Sequence, residues 1–548
     1  MAQPYRYFEE PFTPEEQKVL SRYFTNTDRP VFALVNLPEV VKAALFARYS
    51  RSSKSLRRLF LDEFYVAGDS AWLTDQGTAA ADSGVNAEKA GRLFDRVFSE
   101  YGDDSVAQLG GVHLACEQVS NIFTKLLERG RLAAYLEQST RYIYYDQKRG
   151  GRYQYFIPPE VSDAGLEREY GEQMDGLFAL YGEVVRTTQE ALTAKYPRPE
   201  EESERVWAAA IKAQACDLAR PLLPGATLSN VGIYANGQAL EQLVLRLQAS
   251  PVAEARDYGQ MMLEELRKVI PSFLRRVDVP DKGGATSHYL RSLDGALGAK
   301  AQPRRGNPAP SGPSVTLVEW DRDGELRAAA ASLYPHDSRS MTELVEHVRS
   351  LPEEERAAIL RAAIGDRTNR RQKPGRGFEV PYYLFEVVAD YGAFRDLQRH
   401  RLLTIEWQDV GVDLGCYTPE EIVAAGFGER WAQAMRQAAA HHQALSERCG
   451  VKVAQYAVPF AYNIRFYWKL NARAAYHQIA LRPGAGGHPS YRPVCQPMHR
   501  LIRDQAGHRV IADGMTFVDH EPSTLGRLEG ERRAEKKRAL AAAGSPNA

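Results

Sequence analysis

The chain carries no net charge: Lys+Arg and Asp+Glu each number 70 in 548 residues. That balance argues against a bulk polyanion such as DNA as its main partner. Cysteine is scarce and scattered, at Cys116, Cys216, Cys416, Cys449 and Cys495, with no Cys-x-x-Cys pair. That excludes a disulfide framework and suits a reducing, cytoplasmic setting. No uninterrupted apolar run is long enough to span a bilayer, and the opening Met-Ala-Gln-Pro-Tyr has no apolar signal core. Also missing are a strand-linked Gly-x-Gly-x-x-Gly and a Walker loop, so a dinucleotide would be held by side chains and turns. A chain of 548 residues is too long for one ordinary core, so two or more domains are expected.

What is present is a dense anion-binding stretch, Arg129-Gly130-Arg131 followed by Tyr135-Leu136-Glu137-Gln138-Ser139-Thr140-Arg141-Tyr142. Arginine forks grip phosphate bidentately, and hydroxyls or turn N–H groups complete such a cage. A distorted echo follows at Arg399-His400-Arg401 through Glu406-Trp407-Gln408-Asp409-Val410-Gly411. Around these, Thr13-Pro14 opens a helix by N-cap logic, and Val31–Asn36 reads as a strand. Leu37–Arg58, Ala87–Tyr101 and Val106–Leu127 read as helices, then Leu166–Tyr196, Glu202–Ala219 and Asn236–Leu247. After Pro/Gly-rich Ala301–Pro313 the order restarts: a strand at Ser314–Glu319, helices Asp321–Leu333 and Ser340–Arg349, and a helix from Phe378 to Leu397.

Spacing supports a true repeat. Pro224 to Asn236 and Pro459 to Asn471 are both twelve residues, and Arg220 and Gln455 each lie four before their proline. Ile157-Pro-Pro-Glu-Val likewise corresponds to Tyr417-Thr-Pro-Glu-Glu. The chain reads as two tandem α+β domains, 1–300 and 314–528, with a linker at 301–313 and a charged tail at 529–548.

Arg-His-Arg, Glu-Gln-Ser-x-Arg-Tyr, and a Pro-to-Asn-Ala-Arg segment followed by Leu-Arg resemble the flavin-dependent thymidylate synthase family. Neither repeat keeps the signature whole. The first has Gly130 for the histidine but keeps Glu137 to Tyr142; the second keeps His400 but has Asp409 and Gly411 for Ser139 and Arg141. Arg220 survives in the first, with Leu247 at the catalytic position and Arg246 one place early; the second has Gln455, Asn471-Ala472-Arg473 and Leu481-Arg482.

The resemblance implies a mixed sheet with long helices and reductive methylation of dUMP to dTMP. FAD carries hydride, and methylenetetrahydrofolate and NADPH are co-substrates. It assigns dUMP to Arg129, Glu137, Gln138, Ser139, Thr140, Arg141 and Arg220. It assigns FAD to Ser105, Arg131, Glu379, Arg399, His400, Arg401, Asn471, Arg473 and His477. Arg482 would polarise the uracil ring, and no cysteine nucleophile is needed. Composite sites between the repeats are expected, in a homodimer that makes a pseudo-tetramer. Arg220 and Arg482 nevertheless fall in different halves, so no single half keeps every group.

The alternatives are a degenerate nucleotide- or flavin-binding homologue and altered one-carbon transfer to a related pyrimidine nucleotide. Arg129 and Arg131 also read as surface charges, and Asn471 as a helix N-cap. His488, Cys495 and His499 lack the spacing of a structural zinc site, so no metal is expected.

Overall fold

The computed structural model describes residues 7–65, 108, 110–200, 202–301, 312–484, 487–521, 532 and 535. Ser105, the helix expected at Ala87–Tyr101, and nearly all of the linker and tail lie outside the described residues.

The chain divides into two compact units. The first comprises Met1–Gly182, Leu223–Asn307 and Ala440–Ala457; the second comprises Glu183–Leu222, Pro308–Ala439 and Val458–Ala548. Each holds one four-stranded sheet. In the first the order is β1 (Val31–Leu34), β2 (Gly111–Ser120), β4 (Leu228–Asn236), β3 (Ala133–Glu137). In the second it is β5 (Ser314–Trp320), β6 (Tyr382–Asp390), β8 (Asn463–Asn471), β7 (Thr404–Trp407). Two copies of one α+β arrangement are therefore present, and every described strand pairing is antiparallel.

The equal spacing seen in sequence has a structural cause. β4 and β8 each begin four residues after their proline and end on an asparagine. Asn236 accepts from the Ala239 N–H at 2.9 Å and Asn471 from the Ala474 N–H at 2.8 Å, so each starts the next helix. The two 3₁₀ turns before the prolines, Arg220–Leu222 and Gln455–Ala457, also correspond. Each belongs to the unit built mainly from the other half of the chain. Thr13 and Ser340 form capping boxes with Glu16 and Glu343, as their sequences suggest.

Three expected helices are corrected. Val106–Leu127 contains β2 followed by the helix Asn121–Leu127, and Phe378–Leu397 contains β6 followed by the helix Tyr391–Leu397. Both strands lie in the middle of their sheets, and their long buried runs do not alternate enough to look like strands. The segment Leu37–Arg58 is two helices, Glu39–Tyr49 and Leu56–Leu59. The serine-rich link between them breaks the helix because its side chains bond locally: Ser50 Oγ donates to the Ala47 carbonyl, and Ser55 caps the second helix.

A buried carboxyl organises the first unit's interior. Glu254 accepts from the Ser120 N–H at 2.7 Å, the Ser120 hydroxyl at 2.6 Å and the Tyr456 hydroxyl at 2.7 Å. Burial nonetheless pushes its pKa up to about 7, against the pull of those hydrogen bonds. Between the ordinary carboxyl value and about 7, the folded chain keeps a proton that the unfolded chain has released. Stability contributed by this group therefore falls as pH rises through that window, by at most about 1.4 kcal/mol per pH unit. Glu254→Gln is expected to remove that part of the slope, read as the difference between wild-type and variant urea midpoints at pH 5 and pH 7.5.

Candidate functional site

In the first unit, β3 delivers the anion-binding turn. Glu137 ends the strand with its carboxylate 3.2 Å from Lys125, whose ammonium also reaches Glu128 at 2.6 Å; all three side chains are buried. Gln138 extends the ladder through its N–H to the Asn230 carbonyl at 2.8 Å, and its side-chain amide donates to the Ser52 carbonyl at 2.6 Å. The Ser139 N–H donates to the Ser50 carbonyl at 3.0 Å. The chain then turns: the Arg141 N–H donates to Ser139 Oγ and the Tyr142 N–H to the Ser139 carbonyl, each at 3.3 Å. The break in the Leu37–Arg58 segment thus supplies the carbonyls that seat this turn. Thr140 is buried, Ser139 and Arg141 are half-buried, and Arg129 and Arg131 are exposed.

Near Gly130 lies the arginine that the repeat spacing puts one place early. A Cβ at Gly130 would lie 3.6 Å from the Arg246 guanidinium. Leu247, at the expected arginine position, is buried instead. Burial and nearby Arg129 both lower the Arg246 pKa. A helix-borne arginine therefore faces the Arg129-Gly130-Arg131 element after all. Rotation by one residue around the helix brings it there; the missing side chain at Gly130 makes room for the Tyr135 hydroxyl, which would lie 2.6 Å from a Cβ.

In the second unit, Arg482 C-caps the helix Ala472–Leu481, where a cation is favoured. Its Nε donates to His400 Nε2 at 2.9 Å, a second guanidinium nitrogen donates to the Asp396 carbonyl, and the Tyr491 ring lies 5.5 Å away. Burial first, then the neighbouring Arg482, His477 and Arg399, hold the His400 pKa well below its ordinary value. A neutral imidazole is therefore the acceptor. His400 meets His477 and Trp468 edge to face, at 5.9 Å each.

Asp396, which the sequence reading did not single out, is the hub. One carboxylate oxygen accepts from Arg399; the other accepts from Arg220 at 3.3 Å and from the Tyr491 hydroxyl. Arg220 and Arg482, from different sequence halves, thus meet the same residue. Close approach of Arg220 is possible because Gly392 has no side chain; a Cβ there would stand 3.3 Å from the guanidinium. Asp390, 1% exposed, caps the helix Tyr391–Leu397 by accepting from the Ala393 N–H at 2.8 Å. Burial pushes its pKa up to about 6, with Arg220 pulling it down.

The remaining assigned groups occupy three places. Asn471 serves as an N-cap, and Arg401 is exposed. Arg473 lies 3.4 Å from Glu379 and donates to the Pro374 carbonyl at 2.8 Å. Its first-repeat counterpart is an amide pair, with Gln108 donating to Gln238 at 2.9 Å. Arg473 and His477 are four apart on one helix and share a face.

His488 bonds Ser490 and the Asp217 carbonyl, whereas His499 meets His520 at 3.0 Å. Among the described residues no group of three His, Cys, Asp or Glu side chains could hold a metal ion. No helix among them is long and apolar enough to cross a membrane.

The family model described as thymidylate synthase complementing protein matches residues 43–272 and again 316–506. The chain belongs to this family. Its flavin-dependent thymidylate synthase-like domain is carried in two tandem copies. A UPF0159 protein of Chlamydia pneumoniae is 37% identical over 96% of this chain and 99% of its own length. A flavin-dependent thymidylate synthase of Clostridium tetani is 26% identical over 35% of this chain and 72% of its own. A UMP/dUMP methylase PolB from Streptomyces cacaoi, crystallised with 5-Br dUMP, aligns with 38% of this chain and 97% of its own. That match has 18% identity and a TM-score of 0.29, too slight to build on.

Proposed function

We propose that this member of the family catalyses the reductive methylation of dUMP to dTMP, with FAD as cofactor and methylenetetrahydrofolate and NADPH as co-substrates. The observation that carries the reading is the fixed Arg482 guanidinium, set against neutral His400 beside Asp396. Such a donor favours electron density at the uracil carbon to be methylated. The Ser139 turn, with Arg141 next to it, holds the nucleotide phosphate. Charge-assisted bonds of that kind contribute roughly 1.5–3 kcal/mol each.

The second unit's donor set fits a flavin dinucleotide. His400 and His477 offer aromatic edges near Trp468, and Arg401 and Arg473 offer charge for a pyrophosphate. Bound FAD would supply the hydride, so no protein nucleophile is required. Four of the five thiols are consistent with this: burial raises Cys116, Cys416 and Cys449, and pushes Cys495 up to about 12. The active form in this reading is a homodimer.

Purified protein is expected to be yellow, with near-stoichiometric flavin absorbance, and its gene to relieve the thymidine requirement of a host lacking thymidylate synthase. Flavin binding without rescue would instead support the degenerate binder. That rival has one specific observation in its favour, the occupation of Arg220 and Arg399 by Asp396.

A further inference from the structure

The donors around Asp396 come from three separate segments. Arg220 begins the 3₁₀ turn after the helix Glu204–Ala219, Arg399 follows the helix Tyr391–Leu397, and Tyr491 ends the 3₁₀ turn Pro489–Tyr491. All converge on one carboxylate, and Arg220, Asp396 and Tyr491 are all buried. Two guanidinium groups and a hydroxyl around a small anion are what a phosphate monoester would require. In this chain the anion is covalently part of the protein.

The other repeat differs at both positions together. Counting from Arg129 against Arg399, Asp396 corresponds to half-buried Leu126; counting from the prolines, Arg220 corresponds to Gln455. Where one unit has an arginine and a carboxylate, the other has two neutral side chains. Asp396 thus occurs together with the arginine that it discharges, as expected if the carboxylate serves that cluster.

We propose that Asp396 is a resident anion that fills the seat formed by Arg220, Arg399 and Tyr491 and closes the second unit to phosphate monoesters. The nucleotide phosphate is then left to the first unit's Ser139 turn, a clause that rests on the proposed function. Asp396 is on this view a specificity-determining residue. It decides which of two related units holds the nucleotide phosphate.

Calorimetric titration of the full chain with inorganic phosphate, and separately with dUMP, tests this. Wild type is expected to take up one dUMP per chain. Asp396→Ala is expected to gain one further phosphate site, bound at least tenfold more tightly than any such site in wild type. Arg220→Met in the Asp396→Ala background is expected to abolish the gain. If Asp396→Ala is unfolded alone, inorganic phosphate is expected to restore its circular dichroism and elution volume, and not to do so in the double variant.

A folded Asp396→Ala chain with no added phosphate site would overturn the proposal. So would an unfolded one that phosphate does not restore, or a wild-type phosphate site that Arg220→Met removes. Arg141→Ala separates the two ideas. If it leaves the single dUMP in place, the functional reading of the Ser139 turn fails, while the site gained by Asp396→Ala is judged on its own result.

Discussion

Arg482→Ala is expected to abolish rescue of a thymidine-requiring host and to lower turnover about 10²–10³-fold, the loss typical of removing one fixed donor from developing negative charge. Among the acceptors that hold the side chain are His400 Nε2 at 2.9 Å and the Asp396 backbone carbonyl. Both are neutral, so these two contacts orient the guanidinium without neutralising it. His400 stays neutral because burial and its cationic neighbours oppose a proton there. Arg482→Lys keeps the charge but loses the planar fork that reaches both acceptors, so only partial recovery is expected. Urea midpoints of the variants separate loss of chemistry from loss of fold. Rescue by Arg482→Ala equal to wild type would remove the catalytic assignment.

The residues that could be read from sequence are those whose role is local. Thr13, Ser340, Asn236 and Asn471 announce helix starts because a cap needs only its own next three residues. The twelve-residue interval before each asparagine was legible because a strand of fixed length has to fit between proline and cap. β2 and β6 were not, because burial on both faces of a central strand erases the alternation that distinguishes strand from helix.

The site divides in the same way. Glu137 to Arg141 stands out as a continuous segment, and its turn is made within that segment. Asp396 is one carboxylate among charged neighbours in sequence, and its importance comes from partners 176 and 95 positions away. Arg246 was visible in sequence only as an arginine one place early. Matching the repeats position by position points to Leu247, whereas in the fold Leu247 is buried and Arg246, on the neighbouring face of the helix, lies beside Gly130.

Lys125→Met is expected to destabilise the first unit by about 3–5 kcal/mol, the usual consequence of stranding buried charge. The ammonium lies 2.6 Å from Glu128 and 3.2 Å from Glu137, and no more than 2% of any of the three side chains is exposed. Methionine fills the same volume but leaves two carboxylates facing each other away from water. Adding Glu128→Gln removes one of those charges and is expected to recover part of the loss, which a double-mutant cycle on urea midpoints measures. The consequence extends to function, because Glu137 is the last residue of β3 and Ser139 follows two positions later. Releasing Glu137 from its cation frees the strand end that aims the turn. In the folded fraction of Lys125→Met, dUMP binding is therefore expected to weaken more than flavin binding. A midpoint within 1 kcal/mol of wild type would show that the buried triad does not hold this strand end in place.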